Sequence, residues 1–345
     1  MQLQEAKKLE KSIFETLSKH IKKGEKVILG LSGGADSVFL FEMLKKFAEK
    51  TPIKIVAAHV NHMLRGLESE KDEKFVKDLA KKYKTEIKIL KKDIAKISKK
   101  LGRGLEETGR QVRHEFFAKL AKELKTNLVL TAHHADDNLE TILLNIVRGA
   151  GLKGLLGMEE KIKHKIANTD LSFLKPLLQV PKQQIENYLT HKKIEFVKDL
   201  SNLDETFNRN LIRSKIVPTL KKINKNIFGT VAKNVKNIGE TLDFLDDEAK
   251  KFIKKSEKIL KEKNALIAKD FREANKALKK AVIRELYKVN AKTLKDFGNA
   301  QIDEILKVLD KNIGNKSKKI GPITFSVNKN RIKVSVEKKH KKVQY

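Results

Sequence analysis

The amino-acid sequence predicts an α/β protein in which helices cover both faces of a parallel β-sheet. A second, mainly helical domain follows and ends in a small β hairpin. Up to about residue 213, short apolar runs alternate with segments whose apolar residues recur every three or four positions. Such alternation is typical of parallel sheets. From about residue 226 the helical spacing is nearly continuous, and only residues 323–336 alternate strictly, around residues 328–330.

Apolar spacing assigns each element. Strands are predicted for five short apolar or alternating runs, at residues 27–31, 53–58, 86–90, 127–131 and 194–197. Helices are predicted where apolar residues share one helical face, at residues 3–21, 38–47, 75–83, 112–124, 142–147, 231–245, 265–288 and 300–312. We therefore expect a first domain over residues 1–213, a linker over 214–225 that contains Pro218, and a second domain over 226–345.

Positive charge dominates the composition. The 345 residues include 76 Lys and Arg against 44 Asp and Glu, a formal net charge of +32. Residues 214–345 carry 34 basic and 15 acidic side chains, a net charge of +19. Basic surfaces of this kind bind polyanions such as nucleic acids by releasing counterions. The alternative is a lysine-rich surface that reflects genome composition or thermal adaptation.

Several classes of protein are excluded by what the sequence lacks. Cysteine is absent, which excludes disulfides, thiolate-bound zinc or iron–sulfur sites, and a cysteine nucleophile. No apolar run reaches the length of about 18 residues that a transmembrane helix requires. The charged start of the chain does not resemble a secretory signal. We therefore expect a cytoplasmic protein.

The most informative segment follows the first predicted strand and reads Ser32-Gly33-Gly34-Ala35-Asp36-Ser37. Amides at the start of a helix are unpaired, and glycines let an anion approach the backbone, so this segment predicts a phosphate-binding turn. The Ser32 and Ser37 hydroxyl groups add donors, whereas Asp36 suits a bridging Mg²⁺. An ordinary strand-to-helix turn is the alternative. A Walker A motif is excluded because the chain has no Gly-Lys pair.

Two further segments suit nucleotide chemistry. His59 and Asn61 end the second predicted strand, at the carboxyl edge where α/β sheets bind ligands. Glu106, Arg110 and Arg113 are spaced to share one helix face. Two arginines on one face make a phosphate clamp, and a solvent-exposed ladder of ion pairs is the alternative.

Histidines and acids are concentrated after the fourth predicted strand. This segment contains His133, His134, Asp136, Asp137 and Glu140. Asp136 is expected to cap the following helix, while Asp137 would share Mg²⁺ with the loop aspartate if the two strands are neighbours. A last polar segment spans residues 199–213, where two arginines four positions apart share a helical face.

The Ser-Gly-Gly-x-Asp-Ser pattern resembles the pyrophosphate loop of the N-type ATP pyrophosphatases, the PP-loop superfamily. Together with the segments around residues 59, 113, 137 and 209, it makes the first 213 residues similar to the tRNA(Ile)-lysidine synthetase family. The resemblance implies a Rossmann-like sheet of the adenine nucleotide α-hydrolase type and a basic C-terminal domain that binds tRNA. It further implies an ATP-dependent ligase that converts the wobble cytidine of the CAU anticodon in tRNA(Ile) to lysidine, using L-lysine, ATP and Mg²⁺.

The resemblance also implies roles for individual residues. The residues expected to hold the nucleotide are Ser32, Gly33, Gly34, Ala35, Asp36, Ser37, His59 and Asn61. Asp36 and Asp137 would hold Mg²⁺. Arg113 would face the developing charge on the α-phosphate, and His133 would act as a proton handler or phosphate donor. The residues expected at the tRNA or lysine substrate are Arg110, Glu140, Arg209, Asn210 and Arg213, with Glu140 a candidate for the lysine ammonium group.

Some features depart from this family pattern or suit other functions. His114 replaces a common tyrosine and Gly109 replaces a common alanine. Many members carry a further C-terminal domain, for which this sequence is expected to be too short. A homodimer is common in the family. A PP-loop tRNA thiolase is the nearest alternative, which the absence of cysteine argues against. The other two are a metal-dependent phosphohydrolase built on His59, His62, His133, His134, Asp136 and Asp137, and an RNA-binding protein without catalytic activity.

Overall fold

The computed structural model describes residues 3–197, 207–292, 294, 297–311 and 315–337. The chain folds into two compact units: Met1–Leu144 with Gly157–Ala232, and Asn145–Leu156 with Lys233–Tyr345. The predicted fold class is confirmed, because the first unit is built on a mainly parallel sheet and the second is mainly helical with a small antiparallel sheet. Within the described ranges, no helix combines the length and apolar character needed to cross a membrane.

Within the described residues, the sheet of the first unit has six strands. Their bounds are β1 Lys26–Gly30, β2 Lys54–Asn61, β3 Glu86–Lys91, β4 Leu128–Leu130, β5 Lys161–Ile166 and β6 Thr169–Leu174. The strand order is β3-β2-β1-β4-β6-β5, and all neighbours are parallel except β5, which pairs antiparallel with β6. Because the order reverses between β1 and β4, a topological switch point lies there.

Helices separate the strands and form most of the second unit. Their bounds are α1 Leu3–His20, α2 Ala35–Lys50, α3 Leu67–Lys82, α4 Ile94–Leu101, α5 Leu105–Leu124, α6 Ala135–Val147, α7 Leu152–Leu155, α8 Lys182–His191, α9 Phe207–Leu211, α10 Val217–Ile223, α11 Ile227–Leu260, α12 Ala268–Glu273, α13 Lys276–Ala291 and α14 Asn299–Leu309. A π-helical turn, Ile212–Ile216, joins α9 to α10.

The core of the first unit explains why β1 is apolar throughout. Val27 and Leu29 pack in a cluster with α1, α2 and α8, whereas Ile28 packs in a second cluster with Phe117 of α5. Successive strand residues point to opposite faces of a sheet. A strand that helices cover on both sides therefore needs a continuous apolar run rather than an alternating one.

One edge of this sheet differs from the prediction. The first four predicted strands are present, but the predicted fifth strand at residues 194–197 is wrong. The β5–β6 hairpin forms the edge instead, and its turn residues Ala167 and Asn168 have positive φ angles of 47° and 59°, as two-residue hairpin turns require. Residues 194–197 contribute only a parallel bridge, in which the Val197 amide donates to the Gly33 carbonyl at 2.9 Å.

The second unit joins helices to a small antiparallel sheet. Its strands are β7 Ala265–Ile267, β8 Lys316–Ile320, β9 Ile323–Val327 and β10 Arg331–Val336, in the order β7-β10-β9-β8. The predicted hairpin over residues 323–336 is confirmed as β9 and β10, but the sheet has four strands rather than two. Residues 265–267 were predicted to be helical, yet they pair with β10 because Ala265 and Leu266 complete the buried core.

Residues 214–225, predicted as a linker, are largely helical and belong to the first unit. Ile212 of the π-helical turn and Val217 of α10 pack against Leu139 of α6. The division between the two units therefore falls after residue 232. This packing matters for the site, because it holds the basic residues of α9 and α10 against α6.

Candidate active site

Three connections converge at the switch point of the first sheet. Residues 32–34 join β1 to α2, residues 131–134 join β4 to α6, and residues 62–66 follow β2. The carboxyl ends of β1, β2 and β4 are adjacent, because β1 pairs in parallel with both neighbours. Open α/β sheets bind ligands at this position.

Two backbone amides of the turn over residues 32–34 converge on a single oxygen atom. The Ser32 and Gly33 amides both donate to the Ser37 hydroxyl oxygen, at 3.2 and 3.1 Å, and that hydroxyl group donates to the Gly34 carbonyl at 3.0 Å. Gly33 has a φ of +94°, and a Cβ atom there would lie 3.2 Å from Val76 Cγ1, so glycine is needed. Two amides that converge on a hydroxyl oxygen can equally donate to a phosphate oxygen.

Asp36 and Asp137 approach a common point beside this turn. Their Oδ2 atoms lie 3.6 and 3.5 Å from the same atom, Nε2 of His134. Burial raises the pKa of Asp36. Burial also opposes the charged form of Asp137, but the charges of His134 and His133 and the His134 amide outweigh it, so the pKa is lowered. The structure thus brings together the two aspartates that follow neighbouring strands.

This pair of carboxylates fits Mg²⁺. In nucleotide sites Mg²⁺ uses one or two carboxylates together with substrate phosphates. Asp36 Oδ1 is buried and has no hydrogen-bond partner among the described residues, so it is available as a ligand. Within the same residues, no group of three or more His, Cys, Asp or Glu side chains is arranged to hold a metal. A metal role for Asp36 and Asp137 remains a prediction.

Asp136 differs from its neighbour Asp137 in what it contacts. It was expected to cap its own helix, but its Oδ2 atom accepts the Lys182 amide at the start of α8, at 2.8 Å, and Oδ1 accepts Lys221 Nζ at 2.6 Å. Asp137 instead accepts the His134 amide at the start of α6, at 3.1 Å. Asp136 therefore ties α6 to α8 and α10, and Asp137 performs the capping predicted for Asp136.

The histidines of the site have separate roles in the structure. His134 is the one that stands between Asp36 and Asp137, a position that sequence reasoning did not distinguish from that of its neighbour. His133 Nδ1 lies 3.0 Å from the Thr131 hydroxyl oxygen, and burial lowers the pKa of His133 to about 4. His59 Nδ1 donates to the Leu31 carbonyl at 2.8 Å, which fixes the end of β1.

Asn61 organises the loop after β2. Its Oδ1 atom accepts the Met63 amide at 2.9 Å, and its Nδ2 atom donates to Glu73 Oε2 at 2.9 Å and to the Ser69 carbonyl at 3.2 Å. The side chain is buried and all its hydrogen-bonding groups are engaged within the loop. A contribution of Asn61 to nucleotide binding would therefore come through the loop that it holds in place.

Arg110 and Arg113 lie on the exposed face of α5. Among the described residues neither makes an ion pair or a side-chain hydrogen bond, so the ladder of ion pairs with Glu106 is not seen there. Partial desolvation of the guanidinium group by the surrounding protein, together with the charge of Arg110, lowers the pKa of Arg113. The positive charge of Arg113 also contributes to lowering the pKa of His62 and of His133. The two arginines therefore add positive charge close to the histidines that follow β2 and β4.

Glu140 is almost fully buried and pairs with the arginines predicted at the substrate. Its oxygens accept Arg209 Nε at 3.0 Å and Arg213 Nε at 2.7 Å, and Arg213 Nη2 also lies 3.5 Å from Asp137 Oδ1. Asn210 lies between these arginines on α9, and its carbonyl accepts the Ser214 hydroxyl at 2.7 Å. Residues 199–202 of the predicted polar segment lie outside the described residues.

His62 and His114 are half-buried and carry no charge near neutral pH. Burial, with the nearby arginine charges, lowers the pKa of each to about 4. An unfolded chain takes up a proton on each histidine at a pH of about 6.5. Below that pH the unfolded state therefore binds more protons than the folded state does, and the free energy of unfolding falls as the pH is lowered toward 4.

Replacing His114 with glutamine is expected to weaken this pH dependence. Glutamine cannot take up a proton, so the variant should lose the contribution of about one proton to the slope of unfolding free energy against pH between 4 and 6.5. Urea unfolding of the variant and the wild-type protein at several pH values would measure this slope. Equal slopes for the variant and the wild-type protein would contradict the assignment of a neutral, half-buried His114.

A parallel sheet with a phosphate-type turn at its switch point, and two aspartates beside that turn, defines a nucleotide-binding α/β protein. A family model described as the PP-loop domain matches residues 2–220. The chain belongs to the PP-loop family.

Known proteins resemble this chain over most of its length. It is 32% identical to a tRNA(Ile)-lysidine synthase of Clostridium tetani over 305 residues, which cover 85% of this chain and 62% of that protein. It is 38% identical to a tRNA(Ile)-lysidine synthase of Porphyromonas gingivalis over 221 residues, covering 64% of this chain and 46% of that protein. The chain therefore spans about half to two thirds of the length of these curated relatives.

Among solved structures, a U34-tRNA thiolase from Methanococcus maripaludis resembles the chain with a TM-score of 0.57. The match covers 68% of this chain and 80% of the thiolase, at 20% sequence identity. This likeness concerns the fold alone.

Proposed function

We propose that this protein is an ATP-dependent ligase of the cytoplasm that converts the wobble cytidine of the CAU anticodon in tRNA(Ile) to lysidine. The observation that carries the proposal is the convergence of the phosphate-type turn with Asp36 and Asp137 at the switch point. The similarity to lysidine synthases over 85% of the chain supports the choice of substrate. The net charge of +32 suits a tRNA partner.

In the first step, the C2 oxygen of the cytidine attacks the α-phosphorus of ATP. A bond forms between that oxygen and phosphorus, the bond to the bridging α–β oxygen breaks, and pyrophosphate leaves. The Ser32 and Gly33 amides would donate to pyrophosphate oxygens, displacing the Ser37 hydroxyl that they now contact. Arg113 would face the α-phosphate, where its guanidinium group stabilises the negative charge that develops.

In the second step, the ε-amine of L-lysine attacks C2 of the adenylated base. The new C–N bond forms, the C2–O bond breaks, AMP leaves with that oxygen, and the amine loses a proton. His133 is neutral at physiological pH, because its pKa is about 4. Its imidazole can therefore accept a hydrogen bond from the amine and relay the amine proton to water, because a group with this pKa does not retain a proton at neutral pH. Mg²⁺ held by Asp36 and Asp137 would supply positive charge to the phosphates.

The tRNA and lysine contacts centre on the arginines of α9 and the π-helical turn. Arg209, Asn210 and Arg213 are proposed to contact tRNA, and Glu140 to bind the lysine ammonium group. Both carboxylate oxygens of Glu140 accept from guanidinium groups in this structure. Binding of an ammonium group there requires Arg209 or Arg213 to move away, and a phosphate of the tRNA offers either arginine an alternative partner.

Incorporation of labelled lysine tests the proposed function. Purified protein with ATP, Mg²⁺ and radiolabelled L-lysine is expected to label an unmodified tRNA(Ile) with a CAU anticodon, and to release AMP in equal amount. A methionine tRNA with the same anticodon is the matched control and should remain unlabelled. Release of pyrophosphate without incorporation of lysine would contradict the substrate, and absence of both reactions would contradict the ATP chemistry.

A further inference from the structure

Beside the site described above, basic and histidine side chains gather between α5 and the β5–β6 hairpin, and Arg110 belongs to both groups. The His114 ring of α5 packs on Phe173 of β6 with their centroids 4.9 Å apart. The His164 ring of β5 packs on the same phenylalanine at 5.8 Å. Two histidines from different elements therefore flank one aromatic ring on the face of the sheet that α5 covers.

Arg110 and Lys175 extend this cluster toward the carboxyl edge of the sheet. Arg110 lies one helical turn before His114 and so shares its face of α5. Lys175 comes directly after β6, and its amide donates to the Glu160 carbonyl at 2.8 Å, so the pairing with the β5 side of the hairpin continues to this residue. Its side chain is therefore expected on the same face as that of Phe173, two positions earlier. Lys175 Nζ donates to the Glu159 carbonyl at 2.8 Å. Among the described residues, Arg110 has neither an ion pair nor a side-chain hydrogen bond.

The electrostatics of the cluster are those of an anion site. Burial is the main cause that lowers the pKa of His114, His164 and Lys175, and the charge of Arg110 lowers all three further. Glu159 is the acidic group that acts in the opposite sense on His164 and Lys175. The two cations Arg110 and Lys175 outnumber this one acidic group, and positive charge in excess beside imidazole N–H donors favours a phosphate or carboxylate ligand.

We propose that Arg110, His114, His164 and Lys175 form a second phosphate subsite, which takes a phosphodiester group of the RNA substrate. The proposal rests on the proposed function, which requires a polynucleotide at this edge of the sheet. The strand β4 separates β6 from β1, so Lys175 follows a strand about 10 Å from the one that carries the pyrophosphate turn. The reacting base must lie near the pyrophosphate turn, and the RNA backbone that carries this base continues away from the turn. A backbone phosphate is therefore the group that reaches Lys175.

Lys175→Gln tests this subsite in the full-length protein. The variant removes one charge, so its affinity for tRNA should fall about 5- to 10-fold, and the slope of log affinity against log salt should decrease by about one. ATP affinity, measured without tRNA, should stay within about twofold. Lys163→Gln is the matched control, because Lys163 lies on the same hairpin but points to the opposite face from His164, and its salt slope should equal that of the wild type.

A second variant, Lys175→Arg, distinguishes an electrostatic role of Lys175 from a structural one. Lys175→Arg keeps the charge and is expected to retain most of the tRNA affinity, whereas a structural role for Lys175 would be lost in both variants. Unchanged tRNA affinity in Lys175→Gln would overturn the subsite and leave the proposed function intact. An equal loss of ATP affinity would assign the subsite to the nucleotide phosphates and overturn it too. A wild-type protein that bound no tRNA would contradict both proposals.

Discussion

Replacing Asp137 with asparagine is expected to lower the rate of lysine incorporation by about 100- to 1,000-fold, the range found when one group that stabilises transition-state charge is removed. Asparagine keeps the size of the side chain and can still accept the His134 amide at the start of α6. It lacks the negative charge that would hold Mg²⁺ beside Asp36. The measurement is the rate of lysine incorporation at saturating ATP and tRNA, together with its dependence on Mg²⁺ concentration.

Asp136→Asn provides a matched control for this prediction. It removes the same charge one residue earlier, where the carboxylate accepts the Lys182 amide and the Lys221 ammonium group. We expect a loss of about 1–3 kcal/mol in the free energy of unfolding, with turnover of the folded protein within about tenfold of the wild type. If Asp137→Asn retained turnover as well as Asp136→Asn does, Asp137 would have no special part in the chemistry.

Replacing Gly33 with alanine is expected to reduce ATP affinity by at least about tenfold. The φ of +94° is strained for any side chain, at a cost of about 1–3 kcal/mol. A turn that relaxes this strain in the free protein must return to the strained shape to bind ATP, and about 1.4 kcal/mol corresponds to tenfold in affinity. The new Cβ atom would lie 3.2 Å from Val76 and 3.4 Å from Phe75 and Val197. The turn must therefore shift, and the Ser32 and Gly33 amides would no longer converge on one oxygen. Equilibrium binding of ATP to the purified variant measures this effect.

Gly24→Ala separates backbone strain from the close contact at Gly33. Gly24 has a φ of +83°, similar to that of Gly33, but a Cβ atom there would meet nothing within 4 Å. This variant should lose about 1–2 kcal/mol of stability from the left-handed conformation while its ATP affinity stays unchanged. Equal ATP affinity in the two variants would mean that the turn does not depend on the packing around Gly33.

The phosphate-type turn could be predicted because its signals are local. A strand, two glycines and the helix that follows are encoded within about ten consecutive residues, and the Ser37 hydroxyl reaches the turn from the first turn of α2. The approach of Asp36 to Asp137 needed one further assumption, that β1 and β4 are neighbours, and the structure has them paired. The sequence could not indicate that His134, rather than His133, lies between these aspartates, because the two histidines are adjacent in the chain.

Other site residues could not be assigned without their distant partners. Asp136 bonds to Lys221, 85 positions away, and Glu140 pairs with Arg213, 73 positions away. Nothing in the segment 131–141 indicates that those basic side chains return to α6. The lysine-rich segment 214–225, with its proline, predicts a linker, but in the structure Val217 and the preceding Ile212 pack against Leu139.

The sequence by itself determined the first four strands, the position of the turn at the end of β1, the helical character of the second unit and the positive charge. These depend on spacing between near neighbours, where side-chain periodicity and backbone preference act directly. Only the tertiary structure decided that the β5–β6 hairpin forms the edge of the first sheet and that β7 and β8 complete the small sheet. It also decided which polar side chains form hydrogen bonds that hold the elements of the protein together. Those outcomes depend on pairings between residues far apart in the chain, and the fold alone brings such residues together.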